Sequence, residues 1–171
     1  MPLRVDPGLE PASVGPVDQN LLRSYFSTVY ELPTDTGVIR TSLDGEVTTD
    51  PSALPELLKA RFAILTAYNP RSMLLPRKVN EQRQQVMRDL LILGCYRVES
   101  CVGFEDEPDG TWREPSWLVH GIDRDEAIHF GRTFRQNTIV YSREGRPELV
   151  VTDPTFDDVG KCFVGNWRVR Q

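Results

Sequence analysis

Residues 61–67, RFAILTA, limit the possible fold more than any other stretch of this sequence. The run is too short for a stable helix of its own and its apolar residues do not alternate with polar ones. It predicts a short strand in the centre of a sheet. The segment VNEQRQQVMRDLLILG, residues 79–94, then predicts an amphipathic helix. Val79, Val86, Leu90 and Leu93 form its apolar stripe, Met87 and Leu91 widen it, and Gly94 provides a stop. Alternation in CYRVESCVGFE and in SWLVHGI predicts two antiparallel strands joined across the acidic loop EDEPDGTWRE.

The rest of the chain supplies smaller elements. Asp18 is placed to cap a helix through QNLLRSYFSTVYEL, where Leu22, Phe26, Val29 and Tyr30 keep helical spacing and Pro33 helps end it. TGVIRTS predicts a strand. Asp50 and Pro55 mark the start of a helix in DPSALPELLKAR, and Asp123 marks that of RDEAIHFGRTF, with Ala127, Ile128 and Phe134 facing inward. NTIVYS and PELVV predict a hairpin around REGR, and CFVGNWRVR adds an edge strand. The order αβαβαββαββ is neither strict β-α alternation nor all-β. It predicts an α+β fold, a single domain with a mostly antiparallel sheet and helices packed mainly on one face. Residues 1–17 contain four prolines and predict a flexible N-terminal arm, which leaves residues 18–171 as the α+β domain.

A chain of 171 residues that is 39% apolar and 26% charged can bury one core. No apolar run approaches the roughly 20 residues of a membrane span, and the opening residues lack the apolar segment of a secretory signal. A cytoplasmic location without a membrane partner is expected. Three cysteines, with no Cys-x-x-Cys pair, make neither a disulfide framework nor a zinc site. Cys95 and Cys101 on one strand would lie about 20 Å apart, too far to bridge. Two isolated histidines suggest no catalytic metal, and no motif implies a cofactor.

The net charge of −5 is uneven, because residues 61–104 carry seven basic and three acidic side chains and are the only net-positive segment. Overall acidity argues against broad nucleic-acid binding, but the basic segment suits a small anionic ligand. Within it, intervals of three, four and seven place Arg83 on the stripe of Val79, Val86 and Leu90, with Asn80 one turn earlier. Asn69, Arg71 and Ser72 stand at the end of the preceding strand. Together they predict a polar pocket at a helix N-terminus. The ordinary alternative is scaffolding: an Asx-type turn at Asn69 before Pro70, and Arg83 paired with a buried carboxylate such as Glu114.

The pattern TAYNPRS followed by Asn80, then WREPSWLV and FRQNTIVY, resembles a bacterial family catalogued as domain of unknown function 3293, over roughly residues 61 to 142. The resemblance brings no activity. It implies that Asn69, Pro70, Ser72, Asn80, Glu114, Ser116 and Gln136 belong to one recurring polar centre, and that Arg135 replaces a small residue such as glycine.

Three functions follow as expectations. The first is a binding or interaction domain in which Asn69, Arg71, Ser72, Asn80, Arg83, Glu114, Ser116 and Gln136 recognise a small anionic ligand or an acidic partner group. The second is an enzyme acting on a nucleotide or other phosphorylated compound with Glu114 as acid or base. The third is single-stranded nucleic-acid binding through Tyr68, Trp112 and Trp117, although core packing is the simpler role for Trp117. A Cys101–His120 nucleophile and base pair across neighbouring strands is a weaker alternative, lacking an orienting group and an oxyanion site. Oligomeric state is left open.

Overall fold

The computed structural model describes residues 15–47, 50–105 and 112–170. Among them four α-helices, α1 (Gln19–Ser27), α2 (Glu56–Lys59), α3 (Arg77–Leu93) and α4 (Arg124–Thr133), accompany a nine-stranded sheet. The strands are β1 (Val29–Thr34), β2 (Gly37–Ser42), β3 (Phe62–Leu65), β4 (Arg97–Phe104), β5 (Arg113–His120), β6 (Thr138–Arg143), β7 (Arg146–Val151), β8 (Cys162–Val164) and β9 (Arg168–Arg170). Their spatial order is β8-β7-β6-β3-β5-β4-β1-β2-β9, and the paired strands all run antiparallel. This is the α+β class expected. No described helix is long and apolar enough to cross a membrane.

β3 lies between β5 and β6 with all four residues buried, which is what its unbroken apolar run requires. Its side chains alternate between two cores. Ala63 and Leu65 join Met87 and Leu91 of α3 and Ala127 and Ile128 of α4 on one face. Phe62 and Ile64 join Leu32, Leu118, Val140, Leu149 and Trp167 on the other, where α2 contributes Leu58 and α1 contributes Tyr25 and Phe26. The two longest helices thus cover one face, while the two short ones close the other.

The sheet curls until its two ends meet on the C-terminal segment. β8 extends the β7 end and, a few residues later, β9 extends the β2 end. Between them Gly165 N–H donates to Pro147 O at 2.9 Å, Asn166 N–H to Leu43 O at 2.9 Å, and Gly45 N–H to Asn166 O at 2.8 Å. The approach is backbone against backbone. A Cβ on Gly45 would stand 2.5 Å from Trp167 O, and one on Gly165 2.8 Å from Leu43 O.

Several expectations need correction. The buried face of α3 is Asn80, Gln84, Met87 and Leu91, whereas Val79, Val86, Leu90 and Leu93 are exposed. Polar residues win the inner face because the β3–α3 loop needs their side chains: Gln84 Oε1 accepts from Ala67 N–H at 2.7 Å, and Gln84 Nε2 donates to Pro115 O at 3.2 Å. α1, capped by Asp18 as expected, ends at Ser27 rather than running past Val29 and Tyr30, which open β1. Thr28 Oγ1 closes that helix on Ser24 O at 2.9 Å. At the end of α3 it is Cys95, not Gly94, that takes the left-handed conformation, with φ 63°. Asp123 makes no side-chain cap and pairs instead with Arg61 at 2.9 Å. Residues 1–14 of the expected arm lie outside the described residues, but Val17 is buried and its N–H donates to Asp158 Oδ1 at 3.1 Å.

Candidate functional site

A cavity of about 140 Å³ opens on the concave face between β3, β5 and β6, α1 and the β3–α3 loop. Strand alternation decides which side chains reach it. Trp112, Glu114 and Ser116 project into it from β5 and the residue before it, while Arg113 turns the other way to pair with Glu31 at 3.3 Å. Gly103 stands opposite Glu114 on β4, and the lack of a side chain there leaves room for the Tyr30 ring of β1, 3.1 Å from where a Cβ would be. Tyr25 comes from α1, and Asn137 and Thr138 from the start of β6.

The loop after β3 presents Asn69 and Ser72 in unusual backbone conformations, with φ 43° at Asn69, 55° at Arg71 and 59° at Ser72. Left-handed backbone costs a residue with a Cβ about 1–2 kcal/mol, so the neighbours must impose it. Asn80 does so at Asn69. Its Oδ1 accepts from Asn69 N–H at 2.9 Å and its Nδ2 donates to Asn69 Oδ1 at 2.8 Å. Asn69 Oδ1 also accepts from Leu75 N–H at 3.1 Å, which fixes the amide so that Nδ2 points at Glu114 Oε2, 3.3 Å away.

Arg71 is held on both sides. Its N–H donates to Arg135 O at 2.8 Å and its Nε to Asp153 Oδ2 at 2.7 Å. Burial works against ionised Asp153, but the bonds from Thr155 and Arg71 keep its carboxyl below the usual range. Ser72 Oγ accepts from Asn137 Nδ2 at 2.9 Å, and the same amide donates to the Tyr25 hydroxyl at 3.0 Å. Gln136 Nε2 donates to Tyr68 O at 2.9 Å.

Arg135 has φ 57° and follows the last turn of α4, where Gln136 N–H donates to Gly131 O at 2.8 Å and Arg135 N–H to Arg132 O at 3.0 Å. That left-handed cap is where glycine is usual, which explains why a small residue suits position 135.

Of the expected site residues, Asn69, Ser72, Glu114, Ser116 and Gln136 meet on the cavity wall. Asn80 braces Asn69 from behind. The two arginines go elsewhere: Arg71 to Asp153, and Arg83 to two carbonyls, with Nε donating to Ala67 O at 2.8 Å and Nη2 to Phe134 O at 2.7 Å. The expected Arg83–Glu114 pair is not formed. Sequence reasoning misses Tyr25, Tyr30, Asn137 and Thr138, chiefly because helical spacing places Tyr30 in a helix rather than in a strand with period two.

Residues 65–139 match the family model described as Protein of unknown function (DUF3293). The match covers less than half of the chain and includes every expected site residue. No curated protein and no solved structure matches the chain. The matched segment begins at Leu65, the last residue of β3, and contains the left-handed loop, α3, β4, β5, α4 and the start of β6, while Tyr25 and Tyr30 come from outside it.

Electrostatically, the cavity is dominated by Glu114. Burial pushes its carboxyl up to about 7, and the Asn69 hydrogen bond only partly offsets this. No arginine, lysine or histidine lies on the wall among the described residues. Cys101 and His120 do not form a pair. Cys101 stands opposite Ser116 with its thiol buried and its pKa pushed up, while His120 stands opposite Arg97 and bonds Glu99. Trp112 and Trp117 occupy opposite faces of the sheet: Trp117 packs against the α3 core and donates to Gln84 O at 3.0 Å. The two rings cannot form one stacking platform.

Proposed function

We propose that this protein is a small-molecule binding domain whose ligand occupies the cavity around Glu114. The observation that carries the reading is the carboxyl itself, desolvated on the wall of a cavity otherwise lined by neutral hydrogen-bonding groups, aromatic rings and aliphatic side chains. A buried acid destabilises a fold unless something compensates it, and a ligand is the compensation that a cavity admits. The strained loop beside it supports the same reading, since left-handed side chains collect where geometry serves recognition. The arginines that suited an anionic ligand bind protein acceptors, so an anion would find no counter-charge on the described wall. A cytoplasmic setting fits the three free cysteines.

A fragment set spanning acids, amides, alcohols and amines tests the reading, with thermal shift as the first readout and NMR mapping as the second. Binders are expected to raise the unfolding temperature and to move the Trp112 indole and Asn137 side-chain amide signals. Binding that leaves both signals unmoved would place the ligand elsewhere.

A second reading has its own support. A carboxyl that releases its proton near neutrality is suited to general acid or base work. On that reading Glu114→Gln abolishes turnover while preserving ligand binding, and the wild-type pH–rate profile bends near 7. Activity retained by the variant excludes it.

A further inference from the structure

Tyr25, Tyr30 and Trp112 share the cavity with Glu114, and no cation is paired with that carboxyl among the described residues. Aromatic faces carry partial negative charge, and a carboxylate accepts hydrogen bonds most strongly from charged donors. Both features favour positive nitrogen. We infer that the cavity takes a small organic cation, a primary ammonium or a planar amidinium or guanidinium, whose N–H groups donate to Glu114 and whose apolar part lies against Ile64, Val140 and Leu149. This assignment rests on the small-molecule reading above and narrows it to one chemical class.

Size and charge agree with it. The cavity of about 140 Å³ is of the order that accepts one aromatic ring. The titratable groups that sense Glu114 are the phenols of Tyr25 on α1, Tyr30 on β1 and Tyr68 in the β3–α3 loop, with the Cys101 thiol beyond them on β4. Burial pushes all four up, so they stay neutral when Glu114 ionises. Ionisation therefore leaves the cavity with one unbalanced negative charge. A cation neutralises it; a neutral ligand does not.

Benzamidinium, benzamide and benzoate share one shape and differ in charge. Each is titrated into the full chain at about pH 8, with Glu114 ionised, while the Trp112 indole and Asn137 amide signals are followed by NMR. Benzamidinium is expected to bind at least about ten-fold tighter than benzamide, the worth of one charged hydrogen bond, and benzoate weakest. The preference should shrink at about pH 5.5, where Glu114 keeps its proton. Glu114→Gln should remove it, leaving benzamidinium with no advantage over benzamide. If that variant does not fold, the pH comparison on wild type decides alone. Equal affinities for benzamidinium and benzamide overturn the cation assignment and leave the pocket reading intact, and tightest binding of benzoate overturns it in favour of an anion. No movement with all three, beside a positive fragment screen, also overturns only the cation class. No movement in either experiment overturns both readings.

Discussion

A carboxyl that loses its proton near neutrality ties folding to pH. Glu114 titrates at about 7 in the folded chain against 4.5 as its ordinary value. Between those values the folded chain holds a proton that the unfolded chain has released, so stability falls as pH rises through that window. The loss is at most about 3.5 kcal/mol, at roughly 1.4 kcal/mol for each tenfold change in proton affinity, and water at the cavity mouth reduces it. Asp153 acts in the opposite sense and in another range: its carboxyl is held below 3.8, so its contribution disappears only as pH falls through the acid range. Glu114→Gln should therefore flatten the slope of unfolding free energy between about pH 5 and pH 8 and exceed wild type in stability at the upper end. Urea unfolding at the two pH values checks this, and an unchanged slope would assign the proton to another group. At this scale the sequence is partly legible. Asn69, Glu114, Ser116 and Gln136 could be grouped through the family resemblance, not from spacing or periodicity. The destinations of Arg71 and Arg83 could not, because the acceptors of Arg83 are backbone carbonyls and that of Arg71 is an aspartate 82 positions away.

Among the elements, α3 shows why apolar spacing alone can choose the wrong face. Positions 79, 86, 90 and 93 form a more apolar stripe than 80, 84, 87 and 91, yet the second is buried. Two amides on it satisfy buried and half-buried backbone groups of the β3–α3 loop and of β5. Leu91, fully buried, is the residue on which the packing rests, whereas Leu90 is 42% exposed. Leu91→Asp should cost roughly 3 kcal/mol or more by burying an unpaired charge, and Leu90→Asp about 1 kcal/mol or less. Denaturant unfolding of the two variants ranks them, and the reverse order would return the inner face to the Val79 stripe. Elements with local signals were legible: the β6–β7 hairpin turns through Glu144 and Gly145, both at positive φ, as its sequence requires.

For the whole molecule, the decisive event is closure of the sheet by residues 162–170. Only one edge strand could be expected there, because pairing with β2, more than a hundred residues away, leaves no local pattern. Gly45 and Gly165 mark the seam, and alanine at either would push backbone off backbone. Each substitution should cost about 1–3 kcal/mol, the usual range for overpacking. Thermal unfolding of Gly45→Ala and Gly165→Ala checks this, and wild-type melting in both would show that the seam is loose. Trp167, stacked on Phe62 at 5.9 Å, sits just inside that seam and joins the last strand to the central one. This arrangement also sets a schedule for biosynthesis. While the ribosome still holds residues 162–170, β7 and β2 remain open edges, ready to pair with any neighbouring strand. Until those last pairings form the nascent chain carries two unpaired edges, and a chain truncated before Cys162 should be a sticky intermediate rather than a smaller folded domain.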